Sequence, residues 1–136
     1  MRQVFESFAG FDDFLVYLAI SLALTAMFVA VYVRATPHRE FALIREGNLA
    51  AAFSLSGSLL GFIVPLTAAV RYSVSVVDMA IWGLIALVVQ VSAFLAVKAM
   101  IPTLSQDIAS GKSAQGFFLG SLSLGVGLIN GACMSY

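Results

Sequence analysis

The sequence predicts an all-α membrane protein: four transmembrane helices laid out as two tandem like-oriented helical hairpins, with short interfacial helices in the cytoplasmic connectors. Three observations carry that expectation. Of 136 residues, 61 % are hydrophobic and only 10 % charged, whereas an average soluble domain is roughly 45–50 % apolar and about 25 % charged. Four stretches free of Asp, Glu, Lys, Arg and His approach the roughly 20 helical residues that cross a hydrocarbon core about 30 Å thick. The second half of the chain also resembles the first. A single domain over residues 1–136 is expected, with repeat units at 13–70 and 78–135.

The first span is Phe14–Val33, ending at Arg34. Glu6, Asp12 and Asp13 precede it in place of a positive n-region, and no A-x-A site follows. A retained helix is therefore expected, not a signal peptide. Asp13 opens it, where an acid is favoured by the helix dipole. The first connector begins at Thr36-Pro37, and proline is pre-organised for a first helical turn. Gly47 supplies the left-handed residue that stops a helix. Between them Phe41 and Ile44 have the spacing of a short helix lying at the interface. The second span, Leu49–Val70, contains Pro65, which removes the hydrogen bond to the Gly61 carbonyl and predicts a bend. The third, Met79–Val97, runs between Asp78 and Lys98. A second connector opens at Ile101-Pro102 and closes at Gly111, and the fourth span runs from Ala114 to Tyr136. In hydrocarbon each backbone polar group must be satisfied within the segment, which makes these runs helices.

Arg34, Arg39, Arg45, Lys98 and Lys112 fall on one side of this arrangement, Arg2 and Arg71 on the other. The richer side is expected to be cytoplasmic. Both termini are then periplasmic in a bacterial inner membrane. The repeat is read by aligning Pro37 with Pro102, which also aligns Asp13 with Asp78, Tyr17 with Trp82 and Thr25 with Gln90. Past the connector Gly47 matches Gly111, Phe53 matches Phe117 and Gly61 matches Gly125. Each unit holds two spans, so the units share an orientation and a symmetry axis along the membrane normal is expected.

These residues also carry a family resemblance. The stretch TPHREFALIREGNLAAAFSLSGSLLGFIVPLTAAV, from Thr36 to Val70, resembles the YjfL-type bacterial inner-membrane family, a domain of unknown function (350). The likeness extends over residues 13–136. The second half departs from the pattern, with Lys112 in the place of Asn48 and Thr103 in the place of His38. The resemblance implies a location and a fold but no reaction. Related proteins often occur beside membrane-stress proteins of the phage-shock type and ATP-grasp ligases, which implies a role in envelope maintenance.

Composition narrows the chemistry. Seven basic and seven acidic residues leave no basic excess for nucleic acid. Cys133 is the sole cysteine and His38 the sole histidine, and they are expected on opposite sides of the bilayer. No catalytic residue, metal site or cofactor is predicted, and an enzyme is not expected. Gln90, near the middle of its span, needs a hydrogen-bond partner. It is read as interhelical glue or, with Thr25, Ser54 and Ser58, as the polar lining of a pathway. Gly57 with Gly61, Gly116 with Gly120, and Gly127 with Gly131 let helices approach closely, within the chain or between copies. His38, Arg39, Glu40, Arg45 and Glu46 form a charged, partner-facing connector. Two functions follow: an oligomerising membrane module that docks a cytoplasmic or membrane protein, or a passive ion channel or small-solute carrier. A single four-helix bundle fills its core, so the second requires an oligomer.

Overall fold

The computed structural model describes residues 1–134. Ser135 and Tyr136, the end of the expected fourth span and of the second repeat unit, lie outside the described residues. Those described form helices and no strand: α1 (Arg2–Ser7), α2 (Phe11–Ala35), α3 (Glu40–Arg45), α4 (Leu49–Tyr72), α5 (Val76–Met100), α6 (Leu104–Ala109) and α7 (Ser113–Cys133). Four candidates are long and apolar enough to cross a membrane: the run from α1 through α2, then α4, α5 and α7.

Helix ends follow local chemistry. α5 begins three residues before the expected Met79 because Ser75 and Asp78 both cap its start. The Ser75 hydroxyl accepts from the Asp78 amide at 3.1 Å, and the Asp78 carboxylate accepts from the Val74 amide at 3.1 Å. Asp13 makes no such bond; it lies in the first turn of α2, where only the dipole favours it. Asn48 caps α4 by accepting from the Ala51 amide at 3.0 Å. Both connectors contain a short helix and end alike. Gly47 and Gly111 each have φ +85°. Their amides reach back to the Ile44 and Ile108 carbonyls, and the next amides reach Leu43 and Asp107. Glycine adopts that left-handed conformation without the clash a Cβ would bring.

The centre of the molecule is the pair α4 and α7, which run side by side in the same direction. Gly116 lies on the Ala50 backbone, Gly120 on Phe53 and Gly57, Gly127 on Gly61, and Gly131 beside Val64 and Pro65. The contacts advance together along both helices, as parallel neighbours require. α5 packs on both members of the pair, while α2 packs on α4 and α5. The face that α2 buries is a single stripe of Leu24, Phe28 and Tyr32 at four-residue spacing. Phe28 stacks on Phe62 with ring centroids 4.6 Å apart, and Tyr32 meets Phe94 edge-on at 5.6 Å. Pro65 lies inside α4 without ending it.

Candidate functional site

The side chains that hydrocarbon tolerates least gather inside the bundle, toward the end that carries the connectors. Tyr32 comes from the last turns of α2 and is fully buried. Its hydroxyl accepts from Ser58 Oγ of α4 at 3.1 Å, and Ser54, one turn away, stands beside the same hydroxyl. The backbone carbonyl of the same Ser58 accepts from Gln90 Nε2 at 3.1 Å. The same nitrogen donates to the Ser123 carbonyl of α7 at 3.1 Å. One amide of α5 therefore ties together the two central helices.

The connector closes this region from below. Pro37 ends the run of α2, and the chain turns so that His38 and Glu40 fold inward. Their side chains are only 1 % and 0 % exposed, with His38 Nε2 3.0 Å from Glu40 Oε1. Neither has a hydrogen bond with any other described group. The Glu40 carboxylate also bears electrostatically on the Tyr32 hydroxyl. This corrects the expectation that both face a partner. A lone buried charge is costly, but a carboxylate beside an imidazole can be taken out of water as a pair. Arg39, Arg45 and Glu46 are exposed, as expected of a solvated face. In the second connector Asp107 is buried against Thr103 Oγ1 at 2.9 Å and Lys112 Nζ at 3.3 Å.

Of the residues proposed as one polar lining, Ser54, Ser58 and Gln90 come together and Thr25 stands apart. Ser54, Ser58 and Gln90 are core residues. Thr25 lies in a lateral cleft of about 490 Å³ between α2 and α4, with Ser21, Thr67 and Arg71. Its hydroxyl donates to the Ser21 carbonyl at 2.8 Å, a bond within its own helix. Thr25 and Gln90, aligned with each other in the sequence of the two halves, thus do different things, because α5 lies against both central helices and α2 does not. The glycines at 57, 61, 116, 120, 127 and 131 all lie on the contact of α4 with α7 inside one chain. Sequence reasoning missed Tyr32. Its signal was its place on the Leu24–Phe28 stripe, which turns a hydroxyl inward where a partner is obligatory. No group of three or more His, Cys, Asp or Glu able to hold a metal occurs among the described residues.

Comparison with known proteins agrees with this architecture. Residues 5–134 match the family model described as Domain of Unknown Function (DUF350). The chain is 40 % identical over 123 residues to the UPF0719 inner membrane protein YjfL of Escherichia coli strain K12, covering 90 % of this chain and 93 % of that protein. The YjfL protein of E. coli O157:H7 matches to the same extent. The UPF0719 transmembrane protein YshE of Bacillus subtilis is 23 % identical over 115 residues, covering 83 % of this chain and 86 % of that protein. No solved structure matches the chain. With four apolar helices of membrane-spanning length and a match along nearly its whole length, the chain belongs to the DUF350 family of multi-pass inner membrane proteins.

Proposed function

We propose that the protein is an oligomerising interaction module of the inner membrane that holds its connectors at the cytoplasmic surface and docks a partner protein there. It works as a scaffold, not as an enzyme. The carrying observation is how Gln90 is used. Its Nε2 donates to the Ser58 and Ser123 carbonyls, while Oε1 is buried without a partner, so α5 is tied to both α4 and α7. Asn48 Nδ2 extends the lock to the connectors by donating to the Ile108 carbonyl at 2.8 Å. A rigid base with Arg39, Arg45 and Glu46 exposed on it suits docking better than conduction. A role in envelope maintenance rests on the family resemblance alone.

The layout we infer is two tandem hairpins, with α3 and α6 at the interface and both termini periplasmic. The matching glycine caps support it. So does a groove on α4 and α7 lined by Phe53 with Phe117, Ser56 with Gly120, Gly57 with Ser121, and Leu60 with Leu124. Each pair is separated by 64 residues, as an axis between the two helices requires. Since the small-residue faces are occupied within the chain, self-association falls to α2, whose Phe14, Leu15, Leu18 and Leu22 are uncovered. Photo-cross-linking residues at 39, 45 and 46 should capture a protein partner in cells, and residues at 18 and 22 a second copy. The conduit alternative draws on the hydroxyl-lined cleft beside Thr25. Ion flux into proteoliposomes above empty vesicles, with no adduct from the connector, would favour it and end the docking reading.

A further inference from the structure

The two connectors do not merely lie side by side. Between them is a cleft of about 350 Å³ lined by Pro37 and His38 of the first, Pro102, Ser105 and Gln106 of the second, and Lys98 from the last turn of α5. That volume is within the range of about 300–1,000 Å³ typical of small-molecule sites. Three of the lining residues, Lys98, Ser105 and Gln106, carry side-chain donors that no bond among the described residues uses, and His38 adds a ring nitrogen without a partner. The Ser105 hydroxyl is buried and has no partner. His38 is more than nine-tenths buried, and its Nδ1 has no partner. The Lys98 ammonium belongs to no ion pair, and the Gln106 side chain to no hydrogen bond, among the described residues. A buried donor left unmade costs about 1–3 kcal/mol, which at the Ser105 hydroxyl favours an acceptor from outside; Lys98 is half-buried and Gln106 exposed, so their donors are open to the cleft. No acidic residue lines this cleft. Glu40 lines a neighbouring cleft that shares Pro37 and His38 with this one, and its carboxylate stands 3.0 Å from His38 Nε2.

The geometry points to a binding site for a phosphate group in this cleft, assembled from both connectors. Lysine supplies a point charge to such a group, and the Ser105 hydroxyl and Gln106 amide donors fix its oxygens. The end of the bundle that carries the cleft also carries Arg34, Arg39 and Arg45, which with Lys98 and the Asp107-paired Lys112 outnumber Glu40, Glu46 and Asp107 there, an excess of cations that favours phosphate-bearing species. Two sources present this chemistry there: the head group of an anionic phospholipid and a water-soluble phosphate ester. The site is independent of the docking and self-association proposed above.

The test uses the purified full chain. Native mass spectrometry measures retention of phosphatidylglycerol against phosphatidylcholine, and thermal denaturation in detergent measures stabilisation by glycerol 3-phosphate. Phosphatidylglycerol retention alone identifies the lipid, and stabilisation by glycerol 3-phosphate identifies the soluble ester. In either case Lys98→Gln should weaken binding about tenfold, the equivalent of one charge-assisted hydrogen bond. Arg45→Gln, which removes the same charge outside the cleft, should leave it unchanged. Should Lys98→Gln fail to fold, Ser105→Ala with Gln106→Ala reads the same site without a change of charge. Binding of neither probe overturns the proposal. So does a loss as large in Arg45→Gln as in the cleft variants, since that would be general surface attraction.

Discussion

Single side chains in this protein are informative where they are polar and out of reach of water. Gln90→Leu keeps the volume and removes two bonds to carbonyls that remain in their own helices. Interhelical hydrogen bonds in membranes average about 0.6 kcal/mol, so we expect a loss of about 1 kcal/mol in a bilayer unfolding measurement. Unchanged stability would mean that the amide does not bridge α4 and α7. The His38–Glu40 pair makes a sharper prediction. His38→Ala leaves a carboxylate sealed without a partner, whereas the double variant with Glu40→Ala removes both members of the pair. The double variant should therefore be no less stable than His38→Ala alone, with a coupling above about 1 kcal/mol. Strictly additive losses would show the two to be independent. Gln90's need for a partner was legible from its place in an apolar run. The inward turn of His38 and Glu40 was not, because charge next to a proline reads as a solvated turn until the burial on both sides of it is known.

At the scale of the helix, the glycines sort by what stands where a Cβ would be. A Cβ at Gly127 meets the Gly61 carbonyl oxygen, the acceptor that Pro65 leaves without its amide donor. The Gly127 hydrogen in that place makes a Cα–H···O contact instead. Gly125 has nothing within 4 Å. Gly127→Ala should therefore destabilise by about 1–3 kcal/mol through overpacking. Gly125→Ala should stabilise by about 0.5–1 kcal/mol, since alanine is the better helix former. Equal effects in a denaturation assay would remove the α4–α7 contact from the account. Gly120→Leu with Gly127→Leu should abolish the folded chain, not release an intact monomer. The spans and connectors were readable because length, charge-free runs and proline–glycine punctuation are one-dimensional signals. Which face of a small-residue helix meets which neighbour is not. A GxxxG spacing promises close approach but is silent about whether the partner is in the same chain.

For the whole molecule the open question is which way it sits. Arg34, Arg39, Arg45, Lys98 and Lys112 lie at the connector end, and only Arg2 and Arg71 at the other. The excess of Lys and Arg in short loops sets orientation, and acidic residues contribute little. Burial of Glu40 and Asp107 within the connectors therefore does not alter the reckoning. The five cations should face the cytoplasm, where anionic lipids also hold them. The native Cys133 is exposed at the terminal end, so it must first be replaced by alanine to leave a clean background. Cysteines at Gln3, in α1, and at Val74, in the turn between α4 and α5, should then react with an impermeant maleimide in intact spheroplasts. A cysteine at Glu46, beyond α3, should react only after lysis. The reverse pattern would place the phosphate cleft and the exposed connector charges in the periplasm. Docking of a cytoplasmic partner would then be impossible, although every helix contact described above would stand. Labelling at all three positions in intact cells would mean a mixed orientation, a sign that five against two is too weak a bias for helices this short of flanking charge.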